Sequence, residues 1–303
     1  MDHSASSAGS EHARLALKVE TVSPRSIDSE SAARDNVFIE IMNPTFETIG
    51  LEVSSEKAFN YLAERAGDQG EPTQLSRRGA VLHGRCWKLG EGLEVWTVLY
   101  ESGSGDVFYA DCRPGFRARY IQTISPWALT EYDEEGEAVI HGFREGTDCE
   151  VLFELQNLTE VGPAGFAAQE LHIGLCGLAY RARVRRGKTK TRWTPLEKAA
   201  PARAAHENDW SLSGRVIAFK PLKNPLSGGE LFWIHLDLER IKLEVLVNQR
   251  ALRGDSLTVG ATLDAEVWLQ GHVLDEHALR SRYEGVDYAH SRASFWSGLR
   301  RRN

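Results

Sequence analysis

Between Ser213 and Val273 the chain repeats one pattern that leaves little freedom in how it can fold. In Leu231 to Glu239 the residues Phe232, Ile234, Leu236 and Leu238 are apolar, while Trp233, His235, Asp237 and Glu239 fall between them. A period of two places the sets on opposite faces of a half-buried strand. Ile241, Leu243, Val245 and Val247 repeat the pattern against Lys242, Glu244 and Asn248, and Leu263, Ala265, Val267, Leu269 and Val273 repeat it against Asp264, Glu266, Gln270 and His272. A fourth strand, Gly214 to Lys220, runs into Lys220 to Gly229, a basic loop whose Pro, Gly, Asn and Ser residues favour turns over strand continuation. Phe232, Ile234, Leu243, Val245, Val267 and Leu269 are the expected interior.

The order strand, long basic loop, strand, tight turn, strand, connection, strand resembles the OB-fold, a small, partly open, five-stranded barrel that binds oligonucleotides, oligosaccharides or protein. Two features depart from that pattern. The connection from Asn248 to Gly260 is too short for a full helix, and no fifth strand is evident.

Upstream, residues 1–35 are rich in Ser, Ala and charge without a convincing period and read as a disordered tail. Order is expected from Val37 to Met42. Ser54 or Ser55 then caps a helix to about Arg65 with an apolar stripe of Phe59, Leu62, Ala63 and Ala66, closed by Gly67. Asp68 to Arg78 reads as linker. From Ala80 to Val184 seven short strand-like segments alternate with turns such as Gly90-Glu91-Gly92 and Ser102-Gly103-Ser104-Gly105. The predicted fold is mainly β: an N-terminal antiparallel sandwich or barrel with one small helix (36–197), an Ala-rich linker (198–208), a smaller OB-like β-barrel module (209–275), and a short helix with a basic tail (276–303).

The 303 residues are enough for two ordinary cores. No run approaches the roughly 18 apolar residues of a membrane helix, and Met1-Asp2-His3-Ser4 does not open a signal peptide. A cytoplasmic location is the expectation. Cys86, Cys112, Cys149 and Cys176 are widely spaced, with no CxxC pair, so neither a disulfide framework nor a zinc knuckle is indicated. The net charge of −7 disfavours generic nucleic-acid binding, although a local basic patch can override it.

Several residues are candidates for chemistry. Cys112, among Asp111, Arg113 and Arg117, has the cationic neighbours that activate a thiol, against the plainer reading of a strand-end cysteine. His83, His141 and His172 lie on predicted strands without ligand spacing, and the acidic run Glu131 to Glu137 reads as a solvated hairpin tip rather than a calcium loop. No catalytic residue, cofactor or metal site is expected. The densest charge feature is Arg181, Arg183, Arg185, Arg186, Lys188, Lys190 and Arg192, where alternation puts Arg181, Arg183 and Arg185 on one strand face. Lys220 and Lys223 add charge to the loop of the C-terminal module. Trp233 and Trp268 point out of that module, where they either dock against the N-terminal domain or a partner, or stack a base. Neighbouring carboxylates disfavour a phosphate-bearing ligand there, so docking is the better reading.

The sequence therefore leads to a non-enzymatic binding or adaptor protein that engages another protein through its β-domain surfaces. The alternative is single-stranded nucleic-acid binding through the OB-like module and the basic strand. An enzyme with an unrecognised site in the N-terminal β domain is a third possibility.

Overall fold

A computed structural model describes residues 18–21 (backbone only), 44–77, 80–105, 107–132, 136–161, 170–187 and 190–274. The expected strand from Val37 to Met42, Lys188, the tip of the acidic run and everything beyond residue 274 lie outside them. The fold is mainly β, with a four-stranded antiparallel sheet, a larger multi-stranded sheet and one helix of more than a turn or so.

Helix α1 (Glu56–Gln69) starts where its cap predicts: the Ser55 hydroxyl accepts from the Ala58 amide at 3.2 Å, and Phe59, Leu62, Ala63 and Ala66 are buried. It runs past Gly67, where the surroundings are open, and stops at Gly70. A side chain at Gly70 would meet the Ala66 carbonyl at 2.4 Å and the Arg85 backbone at 2.9 Å, so only glycine allows this close approach. The stretch read as linker is instead strand β2 (Glu71–Arg77) at the edge of a meander with β3 (Ala80–Gly90), β4 (Leu93–Glu101) and β5 (Val107–Phe116). Its Pro72 is tolerated because an edge strand has amides that need no partner.

The large sheet holds β6 (Ile121–Tyr132), β7 (Glu137–Arg144), β8 (Glu150–Leu155), β9 (Leu171–Arg185), β10 (Arg192–Pro195), β11 (Asp209–Lys223), β12 (Glu230–Asp237), β13 (Lys242–Asn248), β14 (Leu252–Gly254) and β15 (Thr262–Val273). Within residues 1–35, β1 (Lys18–Thr21) runs parallel to β6. β6 runs on through Ser125-Pro126 because the ladder to β7 absorbs them in a bulge between Pro126 and Ala128.

Pairing closes this sheet into two rings. β11, β12 and β13 form an antiparallel meander, β13 pairs in parallel with β9, and β15 pairs antiparallel with both β9 and β11. The fifth strand absent from the C-terminal sequence is therefore β9, supplied from upstream. The other halves of β9 and β15 do the same again: β9 pairs with β6, β6 with β7, β7 with β8, and β8 with β15. One core runs through both rings, with Ile234, Leu243, Val245, Val267 and Leu269 in the first and Ile140, Val151, Phe153 and Ile173 in the second. Phe232 packs on this core while partly exposed. Gly271, at the shared ladder, lets the Phe153 ring lie against the strand, where a Cβ would approach it to 2.5 Å.

The outer face of the first ring is not solvated. Trp233, Leu246, Cys176, Leu178 and Trp268 pack in a second core with Phe46, Ile49, α1, Val95 and Phe116. The segment from 44 to 53 is tied down by side-chain amides of the ring: Asn224 donates to the Ile49 carbonyl and Asn248 to the Glu47 carbonyl, each at 2.7 Å. Glu244, fully buried on that face, accepts from Trp233 Nε1 at 2.6 Å and from the amides of Arg119 and Tyr120 at 2.8 and 2.5 Å. Burial raises its pKa, and these donors oppose the rise.

Buried ion pairs join the four-stranded sheet to the second ring. Arg117 bonds Glu94 at 2.7 Å and Glu160 at 3.1 Å, while Gln156 and Trp96 donate to Glu94 at 2.8 and 3.0 Å. Arg113 meets Asp111 at 2.8 Å and Glu154 at 3.2 Å. Glu131, expected on a solvated tip, is buried on β6. Burial pushes Glu154 up to about 7 and Asp209 up to about 6. Both stand above their unfolded values, so the folded state holds more protons between about pH 4 and pH 7, and these groups cost stability as pH rises through that window. The urea midpoint is expected to fall from pH 5 to pH 7.5, and Glu154→Gln to flatten the fall; equal slopes in variant and parent would remove Glu154 as a cause.

Candidate anion-binding cleft

The far end of β9 alternates strictly: Ala182 and Val184 are buried, while Arg181, Arg183 and Arg185 are exposed. Its neighbours decide what those arginines meet. On one side β15 places Glu266 opposite Arg181 and Asp264 opposite Arg183. On the other, β14 runs parallel and places Arg253 in register with Arg183. Like charges on neighbouring strands repel, so this register carries a small energetic cost.

The carboxylates are already engaged. Asp264 pairs with Arg185 and lies 3.9 Å from Arg192, and Glu266 pairs with Arg203 at 2.6 Å. Arg253 donates to the carbonyls of Arg250 and Leu252. Among the described residues, the guanidinium groups of Arg181, Arg183 and Arg250 have no carboxylate within ion-pair distance. They line a cleft of about 760 Å³ together with Arg192, Arg203 and Arg253 and with segment residues Pro44, Glu47 and Thr48. Six arginines thus stand against three carboxylates in the lining, on a chain whose net charge is −7. The local field favours an anion.

Arginine stays protonated, the Thr48 hydroxyl donates to the Thr45 carbonyl at 2.5 Å, and burial holds the Tyr180 phenol well above its usual pKa. The arrangement can bind and orient charge.

The structure brings together only some of the sequence candidates. Arg181 and Arg183 line the cleft, Arg185 is held by Asp264 beside it, and Lys188 lies outside the described residues. Lys220 pairs with Glu91 at 2.6 Å, tying the loop of the first ring to the β3–β4 turn, and Lys223 is exposed at the end of β11 away from the lining. Trp233 and Trp268 are 1% and 3% exposed; the former bonds Glu244 and the latter stacks on His206 at 4.8 Å. Arg203, Arg250 and Arg253 were not singled out by sequence reasoning. Arg203 sits in the Ala-rich linker, and Arg250 and Arg253 sit in a connection without alternation. The one sequence signal for Arg250 and Arg253 is a pair of arginines just after a strand.

The other candidates are accounted for locally. His83 bonds Glu101 and His141 bonds Glu150, each at 2.6 Å, and His172 lies 3.4 Å from Thr123. No group of three His, Cys, Asp or Glu among the described residues could hold a metal ion. No helix among them is long and apolar enough to cross a membrane. Cys112 is fully buried, and burial pushes its thiol up to about 12, the reverse of activation. All four cysteines are buried, and none is in a disulfide. None is expected to react with an aromatic disulfide reagent in the native protein, and all four on unfolding; rapid native labelling that is lost in Cys112→Ser would restore an accessible nucleophile. Searches of family models, curated proteins and solved structures found no match to this chain.

Proposed function

We propose that this is a non-enzymatic binding protein that engages another protein, receiving an anionic group of the partner in the arginine-lined cleft. The observation that carries this reading is that, among the described residues, the guanidinium groups of Arg181, Arg183 and Arg250 have no carboxylate partner and stand beside Asp264 and Glu266, which are already paired. Surface arginines normally settle on available acids. Here the fold engages Asp264 with Arg185 and Glu266 with Arg203 and, among the described residues, leaves Arg181, Arg183 and Arg250 without a carboxylate and Arg253 on carbonyls alone.

The first ring has the strand order of an OB-like barrel whose last strand comes from upstream. In OB modules the outer face of the second and third strands takes the ligand. Those strands correspond to β12 and β13, whose outer face lies under the segment from 44 to 69, with Trp233 and Leu246 enclosed. The cleft lies instead beside β9, β14 and β15. The second reading, single-stranded nucleic acid, is favoured by the spacing of Arg181 and Arg183, two residues apart on one face, or about 6.6 Å, close to the repeat of a phosphate backbone. Against it, the cleft offers only a half-buried Tyr180 for stacking, and a long polyanion would run on into an acidic chain. A reducing, cytoplasmic compartment goes with this proposal, since none of the four cysteines is in a disulfide.

Fluorescence anisotropy of the full chain with a labelled poly-glutamate peptide and a labelled oligo-thymidylate, at low and physiological salt, tests the proposal. The peptide is expected to bind with affinity that falls as salt rises, and the variant Arg181→Gln/Arg183→Gln/Arg250→Gln to lose roughly tenfold or more. Tighter binding of the oligonucleotide, lost in the same variant, would favour the second reading. No binding of either would contradict both.

A further inference from the structure

We infer that the group this cleft takes is a phosphoryl group rather than a carboxylate. The inference rests on the binding role proposed above and narrows it. The cleft itself shows how its arginines treat carboxylates, one acid to one close guanidinium: Arg185 with Asp264 and Arg203 with Glu266. A carboxylate is planar, carries one charge, and is matched by a single guanidinium fork. Arg181, Arg183 and Arg250 come from two different elements, strand β9 and the turn after β13, and all lack such a match among the described residues. Three forks call for a tetrahedral acceptor with several oxygens.

Charge leads to the same group. With three more arginines than carboxylates in the lining, a bound carboxylate leaves most of the excess in place. A phosphate monoester brings a charge of about −1.5 to −2 and three strong acceptor oxygens, and so removes most of it. It also screens Arg183 from Arg253 across the β9–β14 ladder, where the two are in register. Arg183 is thus the residue whose repulsion a phosphoryl group relieves most directly. The same chemistry is offered by a phosphorylated side chain on a partner protein and by a free phosphorylated metabolite of nucleotide size, which a volume of about 760 Å³ also admits.

The test is thermal unfolding of the full chain at constant ionic strength with inorganic phosphate, pyrophosphate, adenosine monophosphate, a phosphoserine peptide and its unphosphorylated form, against acetate and malonate. Phosphoryl compounds are expected to raise Tm by several degrees at millimolar concentration while acetate and malonate, whose carboxylates the same arginines attract more weakly, raise it far less. Arg181→Gln/Arg183→Gln/Arg250→Gln should abolish the rise, and the control Lys223→Gln should retain it. A larger shift with the phosphoserine peptide than with the nucleotide assigns the group to a protein, and the opposite order assigns it to a metabolite; either supports the inference. Equal shifts with malonate and phosphate, or a phosphate shift that survives in the triple variant, would overturn it. If poly-glutamate binds through the same arginines while no phosphoryl compound shifts Tm, the phosphoryl assignment falls and the binding role stands. If nothing binds, both fall.

Discussion

The antiparallel ladder between β9 and β15 is the constraint on which the rest of the structure depends. It registers Ile173 against Val273 at one end and Arg185 against Thr262 at the other, and each strand is long enough to serve two rings. One half of the ladder closes the ring of β11, β12 and β13, and the other closes the ring of β6, β7 and β8. Closure removes the open edges that antiparallel sheets otherwise expose. It also makes one core of what would be two, since side chains from both halves of the ladder share a single apolar interior. A bulge between Glu266 and Val267 takes up the change of direction at the middle.

The second consequence is that the first ring turns an apolar face outward as well as inward. The cover is the segment from 44 to 53, α1 and the four-stranded sheet, which bury Trp233, Leu246 and Trp268. A tryptophan buries on the order of 200 Å² when it docks, so two of them make a strong reason for this layer to stay in place. Two charged groups trapped at the seam are matched: Glu244 collects three N–H donors, and Arg117 is shared between Glu94 and Glu160. Removing one partner of such a set leaves a buried charge, which costs about 3 to 5 kcal/mol. The arc of the ring at β9, β14 and β15 is where the arginine cleft opens.

What could be read from the sequence and what could not follow from the range of the interactions. Alternation in Leu231 to Glu239 placed Ile234 inward and Trp233 outward because period two is a local property of one strand. The Ser55 cap and the stripe Phe59, Leu62, Ala63, Ala66 were legible for the same reason. The parallel pairing of β13 with β9 brings together Glu244 and Cys176, far apart in sequence, and leaves no periodic trace. β2 was missed because only Leu75 of its central residues is buried, as suits an edge strand. At the cleft, Arg181 and Arg183 were visible as an alternating basic run. Arg250 and Arg253 were not, because their place beside Arg183 depends on β14, a three-residue strand that exists only through its pairing with β9.

The central claim is that the shared ladder makes the two rings one cooperative unit. Native-state hydrogen exchange followed residue by residue measures this directly. Amides of β12 in the first ring and β7 in the second are expected to exchange with the same opening free energy, equal to that of global unfolding. Two distinct values, with one ring opening while the amides of the other and of β9 and β15 stay protected, would contradict it.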